Sequence, residues 1–240
     1  MNTQEWIQHI GTEIEEPLRF FYSQQAYGDC LRASKGIEQV NKNVHFWKVF
    51  SVSVQRSLFI SLGRLFDGVE GARSFPKFQG YCMQNVSEFQ KTAIESRRII
   101  SNGGRKPDYL DSFLEGCCEV TNDKLGKMFS PVSSVNENAR NIYQRIRSKT
   151  FAHAIWTKEE EYSELFGLAN NNEIERILLT LWAVHQNLWQ LYYNGRYPEK
   201  EYLILNYKYK EELYDAIKKA FYDNPIKSKD KLILSPFISV

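Results

Sequence analysis

The sequence has little that would interrupt a regular fold, with only 7 prolines and 13 glycines in 240 residues. That content excludes a collagen-like or low-complexity chain. A large excess of charge of one sign is also lacking, since the formal net charge is +2. A surface broadly suited to coating nucleic acid is thereby excluded, although a local basic site is not. Apolar residues make up 42% of the chain and include 15 Phe, 14 Tyr and 5 Trp. We therefore expect one large, aromatic-rich core.

Cysteine is scarce, and its spacing excludes the usual cysteine-based sites. The four cysteines are Cys30, Cys82, Cys117 and Cys118, with no Cys-x-x-Cys spacing among them. Two are adjacent, and adjacent cysteines rarely bridge each other or make a good metal set. The sequence therefore predicts four reduced thiols, a cytoplasmic protein, and neither a metal nor another cofactor.

Long uncharged apolar runs are absent as well. The longest apolar stretch, 44–66, is interrupted by Lys48, Arg56 and Arg64. A helix that spans a membrane is expected to carry far fewer charges. The first residues of the chain lack the apolar segment of a signal peptide. No association with a membrane is expected.

The apolar spacing and the signals for helix ends predict an all-α fold. The predicted helices cover 13–40, 44–66, 86–100, 107–125, 132–146, 173–193 and 199–222. The most apolar of them, 44–66, is expected at the centre of the core. Residues 68–80, rich in Gly, Ser and Pro, are expected to form a loop. The architecture predicted is an antiparallel helical bundle of about four long core helices with extra short helices.

Two parts of the chain are expected to share this core. Residues 1–195 are predicted to form the bundle, and 196–240 a C-terminal helical extension that packs on it. The apolar last stretch, 232–240, is expected to pack on the domain or on a partner.

The motifs of common catalytic sites are missing. There is no Gly-x-Gly-x-x-Gly after a strand, no P-loop, no His-Glu-x-x-His and no Gly-x-Ser-x-Gly. Of the four histidines, His185 lies at a helical position between Trp182 and Trp189 and is expected to be a hydrogen-bonded core residue. His9 and His45 have no evident partner in the sequence.

The remaining histidine, His153, follows a group of four cations. Arg140, Arg145, Arg147 and Lys149 precede it in a segment of 14 residues. Histidine moves protons near neutral pH, and arginine holds phosphate with paired hydrogen bonds. Together they could support attack of an RNA 2′-hydroxyl on the adjacent phosphate. In a straight helix Arg147 and His153 would lie about 120° apart, so this chemistry requires a bend or a second subunit.

Two short motifs resemble a known superfamily. The segment Arg147-Ser-Lys-Thr-Phe-Ala-His153 is similar to the Arg-to-His signature of HEPN domains. The helix ending in Ser61-Leu-Gly-Arg64-Leu-Phe-Asp67 resembles the corresponding helix of the AbiU-like abortive-infection branch of that superfamily. The order of the motifs and of the predicted helices also agrees, and the resemblance spans about residues 10–195.

The resemblance implies a helical homodimer in which the motifs of both subunits face a shared cleft. In active members, this cleft is the active site of a metal-independent endoribonuclease. His153 would be the general acid–base, and Arg147 would stabilise the charge that develops on the phosphorane. Ser148, Lys149 and Arg145 would bind substrate. Many active members carry Asn, Asp or His where this chain has Ser148. Arg64 and Asp67, in the second motif, are expected mainly to form an ion pair or cap that holds the bundle, with a role in the cleft as the alternative.

The function that follows is that of an RNA-cleaving toxin or phage-defence effector. Such a protein would have RNA as its substrate and an antitoxin, of nucleotidyltransferase type, as a partner. Two alternatives stay open. One is a weak or inactive module of the same fold that binds nucleotides or RNA, which Ser148 and the near-neutral charge favour. The other is a protein-interaction module that docks through 232–240.

Overall fold

The structure, a computed structural model, describes residues 1–139, 142–143, 145–146, 169–197 and 207–223, with the backbone alone for 134–139. Within these residues there are nine α-helices, one short 3₁₀ turn and no strand. The predicted all-α class is confirmed. The helices are α1 Thr3–Arg32, α2 Gly36–Lys42, α3 Val44–Leu65, α4 Phe75–Gln84, α5 Lys91–Ser101, α6 Leu110–Glu115, α7 Asn122–Ala139, α8 Asn171–Asn194 and α9 Lys210–Asp223, and the 3₁₀ turn is Val86–Phe89.

The first helix is longer at its N-terminus than the sequence predicted. The Asn2 side chain accepts the backbone N–H of Glu5, and the Glu5 carboxylate accepts the N–H of Asn2. This reciprocal capping box satisfies two donors at the helix start. Pro17 therefore lies inside α1, and the helix ends at Arg32 rather than continuing to residue 40.

The helix at the centre of the packing is α1. It lies against α3, α8 and α9. Trp47 at the start of α3 stacks on Tyr27 near the end of α1, whereas Ser61 near the end of α3 bonds Glu16. The two helices are therefore antiparallel.

The prediction that 44–66 lies at the centre of the core is wrong. The second half of α3 is buried, but its first half exposes Val44, Phe46, Val49 and Val52. Val49 is 66% exposed. An apolar composition predicts the helix itself, but it does not distinguish a central helix from one that is buried over only half its length.

Two further boundaries differ from the prediction. Residues 68–80 are not all loop, because α4 begins at Phe75 with Pro76 in its first turn, where proline is well tolerated. Phe75, Phe78 and Cys82 follow helical spacing and are buried. The helix expected to start beside Pro131 already begins at Asn122.

The buried side chains form two clusters. The main core contains residues of α1, α3, α4, α7, α8 and the segments between them, including Ile14, Leu62, Phe129 and Leu181. The second cluster consists of Tyr27, Cys30, Trp47 and Phe221, with partly buried neighbours from α2, α3 and α9. Helices α1, α3 and α9 contribute to both.

The described part of the C-terminal region, 207–223, packs on the bundle. Tyr207 is buried in the main core and stacks on Tyr22 of α1, with ring centroids 5.9 Å apart. Phe221, close to the end of α9, belongs to the second cluster. The domain boundary at residue 195 stays a prediction.

The C-terminal end of α8 is fixed by particular residues. Gly195 ends α8 in a left-handed conformation with φ of 61°, where glycine has no steric penalty. Arg97 and Arg98 of α5 donate to the carbonyl oxygens of Tyr192 and Tyr193 at that end. These cations meet the negative end of the helix dipole.

Candidate functional site

Most of the predicted catalytic segment, namely Arg147, Ser148, Lys149 and His153, lies outside the described residues. Arg145 is described, and its side chain is exposed. The catalytic and substrate-binding roles given to these five residues therefore stay predictions.

The chain just before this segment is anchored in the main core. Tyr143 and Ile146 are fully buried on either side of the exposed Arg145. The Tyr143 ring stacks on Phe59 of α3 with centroids 6.2 Å apart. Burial raises the pKa of the Tyr143 hydroxyl, which bonds none of the described residues. The exposed side chain of Arg145 thus lies between two residues that are buried in the main core.

Arg64 joins α3 to α1 through two carboxylates. Its Nη2 lies 2.9 Å from Oε2 of Glu13 and 2.6 Å from Oε2 of Glu16, and Ser61 also donates to Glu16 at 3.1 Å. Asp67 accepts the backbone N–H of Val69 at 3.0 Å. The ion pair predicted at Arg64 is thus formed between helices, to partners that the sequence prediction did not name.

His185 is a core residue. It is 5% exposed, and its Nε2 lies 2.8 Å from the carbonyl oxygen of Ile7. Burial lowers the pKa of His185, because the protonated ring would lose its hydration. The prediction of a hydrogen-bonded core histidine is confirmed, and His185 offers no catalytic group to solvent.

A cleft opens between the start of α1, the loop before α4, and α4 itself. Its volume is about 550 Å³. We call it the Trp6 cleft, and its lining consists of Met1, Trp6, Gly71, Ala72, Arg73, Pro76, Lys77, Gly80, Tyr81 and Gln84. The lining side chains include two cations and no carboxylate.

Aromatic rings form one part of the Trp6 cleft. The Trp6 ring lies 6.1 Å from Phe78 and 5.9 Å from Tyr81, measured between centroids. Phe78 is fully buried, which fixes the position of Trp6, whereas Trp6 and Tyr81 are half-buried. The Tyr81 hydroxyl lies 3.3 Å from Oγ1 of Thr3.

Cations and exposed backbone form the other part of the Trp6 cleft. Arg73 and Lys77 are exposed, and neither forms an ion pair with a residue that the structure describes. A methyl group added at Gly71 or Gly80 would meet no heavy atom within 4 Å. The loop and one side of α4 thus leave their backbone accessible.

Sequence reasoning missed this cleft, because it assigned 68–80 to a loop and gave Trp6 no role. The signal that could have found α4 was Pro76 in a first turn followed by apolar residues at helical spacing, Phe78 and Cys82. The contact between α4 and the start of α1 is long-range and has no signature in the sequence.

Metal ligands are not gathered within the described residues, where no group of three or more His, Cys, Asp or Glu could hold an ion. All four cysteines are free, and Cys30, Cys82 and Cys117 are buried. Of the helices that the structure describes, none has the length and apolar character to cross a membrane.

Comparison of the chain with protein-family models, with curated proteins and with solved structures found no match. The resemblance to HEPN domains therefore rests on the motifs around Arg64 and His153 and on the order of the predicted helices.

Proposed function

We propose that this protein is a metal-independent endoribonuclease of the HEPN type that acts as a toxin or phage-defence effector. The observation that carries the proposal is the pair Arg147 and His153 in a segment that carries four cations in 14 residues. Just before the pair, within the same segment, Tyr143 and Ile146 are buried and Arg145 is exposed. A solvent-facing cation just before the pair is what a polyanionic substrate requires.

The reaction needs a base and a stabiliser of negative charge. His153 takes the proton of the 2′-hydroxyl, whose oxygen then bonds to the adjacent phosphorus. Arg147 stabilises the phosphorane, and the bond to the 5′-oxygen breaks as that oxygen gains a proton. The products are a 2′,3′-cyclic phosphate and a 5′-hydroxyl. In a homodimer, the second copy of His153 could supply the leaving proton.

The proposal is tested by producing the wild type, His153→Ala and the matched control His45→Ala, whose side chain is exposed at the start of α3. We expect slower growth and fragmented RNA with the wild type and the control, and normal growth with His153→Ala. The purified wild type should cleave RNA in the presence of a chelator and leave a 2′-deoxy substrate intact. Equal RNA integrity in all three cultures would refute the proposal.

The oligomeric state gives a second test. The resemblance implies a site composed of two chains. In a straight helix Arg147 and His153 would lie about 120° apart, so without a bend in the segment the second chain has to complete the site. We expect a dimer by mass measurement in solution. A strict monomer over the whole accessible concentration range would contradict this arrangement.

A second function, binding of RNA or nucleotides without cleavage, is favoured by the Trp6 cleft and by Ser148. It predicts a protein that retains RNA in a salt-dependent way and releases it intact. Cleavage that His153→Ala abolishes would reject it.

A further inference from the structure

We infer that the Trp6 cleft is a binding site for a nucleotide unit, in which a base stacks on the aromatic rings and a phosphate is held by the cations. The site involves none of the residues of the proposed catalytic pair. It would take either a free nucleotide or one nucleotide of a single-stranded RNA, since both present the same chemistry.

The size of the cleft suits such a ligand. Its volume of about 550 Å³ lies within the range of roughly 300–1,000 Å³ typical of small-molecule sites. It is a concave surface between two helices and a loop, so a nucleotide could enter alone or as part of a longer chain.

The charge of the cleft selects an anion. Arg73 and Lys77 are both in the lining, and neither has an ion-pair partner among the described residues. Two unneutralised cations in one concave lining raise the local positive potential. A phosphate would relieve it, with arginine able to form paired hydrogen bonds.

The aromatic part of the cleft distinguishes a nucleotide from a bare phosphate. Trp6 and Tyr81 are half-buried, and the buried Phe78 holds the Trp6 ring in place. A base can stack on such rings whatever its sequence, because every base has a π-face. Gly71 and Gly80 leave open space beside the cations and rings, so a ribose–phosphate can approach the backbone closely.

Binding is measured on the full-length His153→Ala chain, so that no RNA is consumed whether or not the wild type cleaves. The probes are ATP, a single-stranded RNA of ten nucleotides and inorganic phosphate. Binding is followed by calorimetry and by quenching of tryptophan fluorescence. We expect saturable binding of ATP or RNA that weakens as salt rises, and much weaker binding of phosphate.

The decisive variant is Arg73→Glu with Lys77→Glu. Its matched control is Lys35→Glu with Lys48→Glu, which makes the same charge change at exposed sites remote from the cleft lining. The cleft variant should lose about tenfold or more in affinity, because it replaces two phosphate contacts with repulsion, while the control stays within about twofold of the parent. An equal loss in both pairs would mean general attraction to the surface and would overturn the inference.

The ring contribution is tested with Trp6→Leu and Trp6→Phe. Leucine keeps apolar volume but removes the stacking surface, so it should weaken binding by about tenfold, whereas phenylalanine should largely restore it. The cleft variant, Arg73→Glu with Lys77→Glu, remains informative if Trp6→Leu does not fold.

The outcomes separate the ligands and the two proposals. Saturable binding of RNA alone, of ATP alone or of both supports the site and names its source, provided that the cleft variant weakens it and the control does not; binding that the cleft variant leaves unchanged overturns the inference. Binding of none of the probes, or of phosphate as tightly as ATP and RNA, overturns the inference. Because these measurements use a chain without His153, they stand or fall independently of RNA cleavage.

Discussion

The two clusters of buried side chains differ in size and in how they are built. The main core draws on most of the described helices and contains buried residues from the whole length of α8. The second cluster has four buried members, three of them aromatic, and includes the N-terminal half of α3, whose outer face exposes Val49 and Val52. The buried area of a small cluster offsets less conformational entropy, so it should open at a lower free energy than the main core.

The same helices pass through both clusters, which links their stabilities. α1 contributes Ile14 to the main core and Tyr27 to the second cluster, and α3 contributes Leu62 and Trp47 in the same way. Loss of the main core must therefore unfold the second cluster. The reverse does not follow, because the main core retains its contacts with α7 and α8.

The largest expected effect comes from removing one phenylalanine ring in each cluster. Phe129 is fully buried in the main core against Phe75 and Phe78, and Phe221 is 3% exposed in the second cluster. Phe129→Ala should reduce the free energy of unfolding by about 3–5 kcal/mol. Phe221→Ala should cost clearly less in global unfolding, because much of its effect is local. Urea denaturation measures both values.

Hydrogen exchange provides the control for this pair of variants. Phe221→Ala should speed amide exchange in α2, the start of α3 and the end of α9, and leave α8 protected. Equal losses of protection across α8 in the two variants would show a single cooperative core and break the comparison.

A single methyl group in α1 sharpens the comparison. A Cβ at Gly11 would lie 2.7 Å from Cε1 and 2.8 Å from Nε2 of the buried His185 ring, whereas at Gly28 the nearest atom is Nη1 of Arg32 at 3.5 Å. Gly11→Ala should destabilise the protein by about 1–3 kcal/mol through overpacking. Gly28→Ala should stabilise it by up to about 1 kcal/mol, because alanine favours the helix. Thermal unfolding of the two variants gives the sign of each change in stability. If Gly11→Ala left the stability unchanged, the packing around His185 would have to adjust to the added methyl group at little cost.

Much of the fold followed from local patterns, and the misses have physical causes. Helix α8 was predicted almost to the residue, because its apolar period is long and Gly195 marks its end. The α4 helix was missed because its Gly and Pro content is typical of loops. The burial of α3 was overestimated because periodicity reports an apolar face, whereas the partner that covers it is set by long-range packing.

The candidate sites were less predictable than the fold. The sequence predicted an ion pair or cap at Arg64 and Asp67, but the partners of Arg64, Glu13 and Glu16, are brought close only by the packing of α1 on α3. The Trp6 cleft brings Trp6 together with Arg73 and Lys77, which are far apart in the chain. A signature of consecutive residues, such as the one ending at His153, can be read from a sequence, whereas a site assembled from separate helices cannot.

Acid should act on the main core through His185. Burial lowers the pKa of this residue below its ordinary value of 6.5. Below pH 6.5 the imidazole is therefore protonated in the unfolded chain but stays neutral in the folded chain. The contribution is fully present above pH 6.5 and falls as the pH decreases, with a slope of at most about 1.4 kcal/mol per pH unit. Denaturant unfolding from pH 7.5 to 5 measures it. His185→Gln should flatten this dependence, and His45→Gln, at an exposed position near the second cluster, should leave it unchanged. If the free energy of unfolding of the wild type did not change with pH over this range, the lowered pKa of His185 would be contradicted.

The smallest expected effect concerns two surface arginines that form ion pairs, one beside each cluster. Arg64 joins α3 to Glu13 and Glu16 of α1, whereas Arg32 pairs with Asp29 within α1 at 2.6 Å. Arg64→Met should reduce stability by about 1 kcal/mol, because it separates two helices from a shared cation and leaves two neighbouring carboxylates to repel each other. Arg32→Met should cost about 0.5 kcal/mol or less, as is typical of exposed pairs within one helix. Raising the salt concentration from 0.05 to 0.5 M should shrink both losses, because exposed charges are screened. If Arg32→Met costs as much as Arg64→Met, the bridge between helices adds nothing beyond an ordinary surface pair, and the attachment of α3 to α1 does not depend on Arg64.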